Sequence, residues 1–304
     1  MAHSKPLLTL ALAALIAQPA ASQTGPASQT GPASQTGNDQ KRAENVPSKW
    51  GLLAGAGAFV TPKYSGDDNY RVLALPFLRG SYGDNFYASI PEGANYEFYK
   101  KDGLTLKAKA GIAFPREEDN KSIFAVSGAP SDELTGLGNL GASLELGGTL
   151  DYKLGPLTLS AGVRHGIGGH KSLVGDASAS LTKVFKTPGP PIAVILSPNI
   201  KMGEASLTQA YYGITPEQSL ASGLAEYSTD GGIYSVGVNA ITFVPTSRDS
   251  AFILFASLRE LTGSAADSPL VRQRGDTTQG AVGLFWVKAF GQDARNAEKL
   301  VMGR

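Results

Sequence analysis

The chain has 304 residues and a formal charge of +1, is 42% hydrophobic and 17% charged, and contains 37 glycines, 18 prolines and no cysteine. With no basic excess it offers no phosphate-neutralising surface, so nucleic acid is not an expected partner. With no cysteine it has no disulfide, thiolate metal site, cysteine nucleophile or acylated lipoprotein anchor.

The N-terminus reads as an address. His3 and Lys5 precede an apolar run from Leu7 to Ile16, and the small residues Ala20 and Ser22 follow it. A cationic start, a short apolar run and a small-residue exit predict a secretory signal over residues 1–22. An uncleaved anchor would need about 20 apolar residues, and this run is shorter. Then Ser-Gln-Thr-Gly-Pro-Ala begins at Ser22 and again at Ser28, with Ser-Gln-Thr-Gly once more from Ser34. That composition buries too little to offset chain entropy, so residues 23–48 are expected to form a disordered leader.

From Trp50 onward no apolar stretch approaches the length of a transmembrane helix. The pattern is period two instead. In 104–114, Leu104, Leu106, Ile112 and Phe114 alternate with Thr105, Lys107, Lys109 and Gly111. The segments 144–152, 157–167 and 173–185 repeat it, with Glu145, Asp151, Arg164 and Asp176 on their polar phases. Such alternation marks strands with one apolar and one polar face. Strands of about ten residues are long for a soluble sheet and suit a tilted bilayer crossing.

Tight turns are expected at Lys101-Asp102-Gly103 and Leu154-Gly155-Pro156, and long polar loops over 115–139 and 204–230. Aromatic residues near strand ends, such as Tyr82, Tyr96, Trp286 and Phe290, suit an interfacial girdle. The fold expected for residues 49–290 is therefore all-β. It is a closed antiparallel transmembrane barrel of about twelve strands, with short periplasmic turns and longer extracellular loops. A soluble β-sandwich is the competing architecture. A polar, helix-compatible tail over 291–304 follows the last strand.

Four separated segments resemble the MipA/OmpV family of outer-membrane proteins. They are Tyr64-Ser-Gly-Asp-Asp-Asn-Tyr70 with the strand after it, Leu134-Thr-Gly-Leu-Gly-Asn-Leu140, Tyr211-Tyr-Gly-Ile-Thr-Pro-Glu-Gln-Ser-Leu-Ala-Ser-Gly-Leu224 and Ala266-Asp-Ser-Pro-Leu-Val-Arg-Gln-Arg-Gly275. The resemblance spans roughly residues 50–290. It implies a non-enzymatic barrel in the outer membrane of a Gram-negative bacterium, surrounded by lipid and lipopolysaccharide. For some members it implies a scaffold joining a murein transglycosylase to a murein synthase, and for others a porin-like role. It carries no catalytic residues and no cofactor. Such barrels normally end on an aromatic residue, and Phe290 stands where that end would be, but the chain continues to Arg304.

The residues themselves add candidates. Lys107, Lys109, Glu145, Asp151, Arg164 and Asp176 share the polar phase and are expected to line a lumen with charges of both signs. His165 and His170 lie close in sequence, yet no cysteine or carboxylate beside them completes a metal set, so no metal is expected. A lipid hydrolase using His165 is a further alternative, since His165 falls on the apolar phase of its strand, but no Gly-x-Ser-x-Gly elbow accompanies it. Gly136-Leu-Gly-Asn-Leu-Gly141 spells a dinucleotide fingerprint, but a strand rather than a helix follows, so no nucleotide is expected. Asp67, Asp68, Glu117, Glu118 and Asp119 read as solvated acidic loops without calcium-loop spacing. Thr215-Pro216-Glu217-Gln218 predicts a short helix with Thr215 as N-cap, ending at Gly223.

Overall fold

The computed structural model describes residues 49–296 apart from 91, 120, 123, 129 and 130. The expected signal, the leader and residues 297–304 of the tail lie outside the described residues.

The chain forms a closed antiparallel barrel. Its strands are β1 (Trp50–Pro62), β2 (Tyr70–Tyr82), β3 (Phe86–Ile90), β4 (Gly93–Lys101), β5 (Leu104–Ala113), β6 (Ala125–Ser127), β7 (Ser143–Leu154), β8 (Leu157–Gly168), β9 (Leu173–Phe185), β10 (Ile192–Gly203), β11 (Gly232–Pro245), β12 (Ser250–Leu261) and β13 (Thr278–Gly291). Each pairs with its sequence neighbour, except that β5 pairs with β7, and β1 closes the ring by pairing with both β2 and β13. Setting aside β6, which pairs only with β2 at Val72 and Leu73, twelve strands close the wall. Closure pairs the sheet edges that lipid would otherwise leave unsatisfied.

The alternation read from the sequence sets the faces. Leu144, Leu146, Val163, Ile167, Leu254 and Leu284 point outward and stay exposed, giving an apolar belt. The opposite face is the inside of the ring, where side chains two strands apart converge. Phe59 of β1 meets Phe255 of β12 at 5.6 Å between ring centroids, across Gly283 of the intervening β13. A Cβ at Gly283 would lie 2.7 Å from the Phe59 ring, so glycine is what lets the rings meet.

Successive strands run in opposite directions, so the connections sort to two ends. Turns 83–85, 102–103, 155–156, 186–191 and 246–249 share one end with both termini of the barrel, here the turn end. Segments 63–69, 114–142, 169–172, 204–231 and 262–277 lie at the other, the loop end. The loop end also holds four helices: α1 (Ala205–Tyr212), α2 (Pro216–Ser222), α3 (Gly263–Ala266) and α4 (Pro269–Arg274). At α2 the Thr215 side chain accepts from the Gln218 N–H, Gln218 answers the Thr215 N–H, and Gly223 closes the helix at φ 76°. Past β13, residues 292–296 turn helical.

Candidate functional site

The buried apolar core of this molecule lies in the loops, not in the wall. Tyr64, Leu134, Leu137, Ile214, Leu224 and Leu270 form one cluster, and Tyr212, Leu261, Ala265 and Val271 form a second. They come from four loops far apart in sequence, and those loops contain the four segments that carry the family resemblance. Leu134 and Leu270 are 0% and 1% exposed, and burying each contributes about 1.5–3 kcal/mol.

Polar ties join the same loops. The Arg274 guanidinium donates through Nη1 to the Glu133 carbonyl at 2.6 Å and through Nη2 to the Ser222 carbonyl. Tyr64 Oη donates to the Arg274 carbonyl at 2.9 Å. Ser268 donates to the Tyr212 carbonyl at 2.6 Å, and Gln218 Nε2 donates to the Leu137 carbonyl at 2.5 Å. Together these loops make a cap over the loop-end mouth.

Beneath the cap lies a polar hollow of about 190 Å³, lined by Glu145, His170, Lys201, Tyr211, Tyr212 and Arg259 among others. The phenols of Tyr211 and Tyr212 are pushed up by burial, and the Arg116 guanidinium, which donates to the Tyr211 carbonyl at 2.9 Å, is pushed down by burial. His170 is buried, with Nε2 3.2 Å from Glu145 Oε1. This contact ties the 169–172 turn to the inner wall. His165 stands apart from it on the outer face, where its ladder neighbours are Leu146 and Leu173 rather than a serine.

The candidate charges fall into two groups on the inner face. Lys107 bridges Asp151 at 2.8 Å and Glu97 at 3.6 Å. Arg164 bridges Glu145 at 2.9 Å and also Asp176. Lys109 sits between Asn95 and Gly147 in the ladder. The sequence reading missed Glu97, whose strand carries a register shift near Phe98 that breaks the alternation.

It also missed that the inner face is two-sided. On β1, β2, β11, β12 and β13 the inward residues are largely apolar: Phe59, Leu75, Phe77, Ile241, Phe255 and Phe285, each half-buried. A signal was present. Runs such as Val72-Leu-Ala-Leu-Pro-Phe-Leu78 and Ala251-Phe-Ile-Leu-Phe-Ala256 are apolar on both phases, unlike 104–114.

Two acidic sites also differ from expectation. Asp67 is fully buried, not solvated: its Oδ1 accepts from the Asn69 N–H at 2.8 Å, Oδ2 has no hydrogen-bond partner, and burial pushes the carboxyl up. Gln279 holds this loop by accepting from the Gly66 N–H at 3.0 Å and donating to the Asp67 carbonyl at 3.1 Å. Glu118 is likewise engaged, accepting from the Gly138 N–H at 2.7 Å inside the former fingerprint segment.

At the turn end the chain folds back on itself. Asp293 is buried and accepts from Ser81 Oγ at 3.1 Å, and burial raises its carboxyl. Around this end Lys100, Lys101, Lys183, Lys186 and Arg248 are exposed, against Asp84, Asp102 and Asp249.

A closed barrel with an apolar outer belt, short turns at one end and long loops at the other is an outer-membrane β-barrel protein. The model of the family described as MltA-interacting protein MipA matches residues 54–288, and the chain belongs to that family. Among solved structures it is similar to CdiB from Acinetobacter baumannii, at 9% identity and TM-score 0.34 over 80% of this chain and 60% of that one. Pseudomonas putida OprB gives 11% identity and TM-score 0.34 over 72% of this chain and 59% of that one. The chain thus spans about three-fifths of these two proteins. OmpT of Vibrio cholerae gives 8% identity and TM-score 0.31 over 79% of this chain and 96% of that one. No curated relative matches the sequence.

Proposed function

We propose that this protein is a non-enzymatic scaffold of the Gram-negative outer membrane, set in lipid and lipopolysaccharide, with its loop end outside and its turn end in the periplasm. There it holds a murein transglycosylase together with a murein synthase. The observation that carries this reading is the inequality of the two ends. The loop end carries its own buried apolar core, while the turn end presents exposed cations suited to an acidic partner surface. The description of the family, a transglycosylase-interacting protein, supports the same partner class. The inner charges Lys107, Glu145, Asp151, Arg164 and Asp176 then serve mainly to tie the wall, in the ion pairs they form there, and Lys109 stands beside them on the inner face.

The test is co-retention. Full-length protein immobilised in detergent should hold a purified transglycosylase and synthase together. Lys101→Glu combined with Lys186→Glu should reduce that retention several-fold. A folded barrel that holds neither enzyme rules the scaffold out. Stepwise currents from the wild-type protein in a planar bilayer would instead favour the porin-like channel.

A further inference from the structure

The hollow beneath the cap holds more positive charge than its carboxylates answer. Lys201 and Arg259 both line it, on the inner phase of β10 and β12, with β11 between them. Arg259 faces Gly237 across the ladder, and a Cβ there would lie 2.8 Å from the Arg259 Cβ. Glycine thus leaves the wall between the two cations bare. Lys201 faces Asp176, but Asp176 is taken by Arg164, which also holds Glu145. The other Glu145 oxygen meets His170. Two carboxylates therefore stand against three cations. Lys201 makes no hydrogen bond or ion pair among the described residues, and it feels the Arg259 charge more strongly than the Asp176 carboxylate. Arg259 has no carboxylate partner there either, only a long contact of 3.5 Å from Nη2 to Ser65 Oγ.

The cap side adds donors of its own. Thr208 of α1 is buried and donates to the Asp230 carbonyl at 2.8 Å, which pins the helix that brings Tyr211 and Tyr212 to the hollow. Tyr234 joins them from the bulge where the β10–β11 register shifts beyond Lys201. Tyr212 Oη shares a hydrogen bond with Ser65 Oγ at 2.8 Å, whereas the hydroxyls of Tyr211 and Tyr234 have no hydrogen-bond partner among the described residues. These hydroxyls, the Arg259 guanidinium and the Lys201 side chain border the open space of the hollow and are not sealed in protein.

The size of the space bounds what it takes. At about 30 Å³ per water, 190 Å³ holds about six waters, and pockets for drug-sized molecules begin at about 300 Å³. The occupant is therefore small. Donors reach it from β10, from β11 and β12, and from α1. That many-sided arrangement suits a tetrahedral oxyanion better than a flat carboxylate, which one guanidinium fork would satisfy.

We propose that the hollow is a binding site for a small oxyanion of the phosphate class, held between Lys201 and Arg259 and met from the cap by the hydroxyls of Tyr211 and Tyr234. The anion supplies the negative charge that this level of the inner wall lacks. The proposal does not rest on the scaffold reading, which concerns the outside of the turn end.

The test is equilibrium dialysis of the full-length protein, in a non-ionic detergent at low ionic strength, against radiolabelled inorganic phosphate. Dialysis to equilibrium makes slow passage beneath the cap immaterial. Wild-type protein should bind phosphate saturably. Lys201→Met and Arg259→Met should each weaken binding at least about 10-fold, and Tyr234→Phe several-fold. Lys109→Met removes the same charge from the inner wall outside the hollow and should stay within about two-fold of wild type. Sulfate should displace the phosphate, and acetate or chloride at the same ionic strength should not. Should the methionine variants fail to fold, Tyr234→Phe, which deletes one oxygen, carries the test. Folded wild-type protein without saturable binding overturns the proposal. Equal loss in Lys109→Met and Lys201→Met overturns it too, because a diffuse field and not a site then holds the ion. Displacement by acetate or chloride as effective as by sulfate would overturn the phosphate class.

Discussion

Tyr64 and Arg274 stand 210 positions apart, yet the Tyr64 hydroxyl donates to the Arg274 carbonyl while the Arg274 side chain spans to Glu133 and Ser222. One residue therefore touches every loop of the cap. Arg274→Ala should cost about 2–4 kcal/mol, since two charge-assisted bonds are lost and carbonyls are left without donors. In a planar bilayer the wild-type protein should be silent, and this variant should show intermittent stepwise current. A silent variant with unaltered thermal unfolding would remove Arg274 from the role of cap fastener.

Asp67 makes the cap sensitive to pH. Burial raises its folded carboxyl above the unfolded value, so the folded state binds a proton more readily. The contribution is fully present below the unfolded value and is lost as pH rises from there through the folded one. Through this group wild-type protein should therefore melt higher below about pH 4 than at about pH 7, and Asp67→Asn should narrow the difference. Thermal melts of the two proteins in the same detergent decide it, and parallel pH profiles would contradict it.

Lys107 and Lys109 look alike in sequence but not in the barrel. Lys107→Gln strands Asp151 on the inner wall, leaves Glu97 with Lys100 alone, and should cost about 1–3 kcal/mol. Lys109→Gln breaks no ion pair among the described residues and should stay within about 0.5 kcal/mol of wild type. Denaturant unfolding separates the two. If the Arg274→Ala barrel conducts, neutralising both lysines should shift its permeability toward cations, and unchanged selectivity would remove them from the ion path.

Thr215→Ala removes the N-cap of α2 and should cost about 1 kcal/mol. The helix is exposed on one side, so the effect should be local. Amide exchange should speed up at Gln218 and Ser219 and stay unchanged in β11.

The wall was legible because its information is local. A strand such as Leu157–Gly168 declares both faces within its own residues, and the turn at Gly155 declares its neighbour. The capping box of α2 was legible for the same reason. The cap was not, since Tyr64, Leu134, Ile214 and Leu270 meet only when the ring has brought their loops together. The apolar half of the lumen was obscured by strands that are apolar on both phases, where alternation carries no direction. Asp67 was misread because an acidic pair in a short loop carries no mark of the Gln279 that buries it.

The dispersal of the cap's core also orders the making of this protein. Tyr64 and Leu270 come from opposite ends of the barrel sequence, so they meet only when the first and last strands have joined. Contacts of such long sequence separation form late. The cap is thus the final piece to settle, and a ring that has failed to close has nothing with which to seal itself. A settled cap is a molecular receipt for completed assembly.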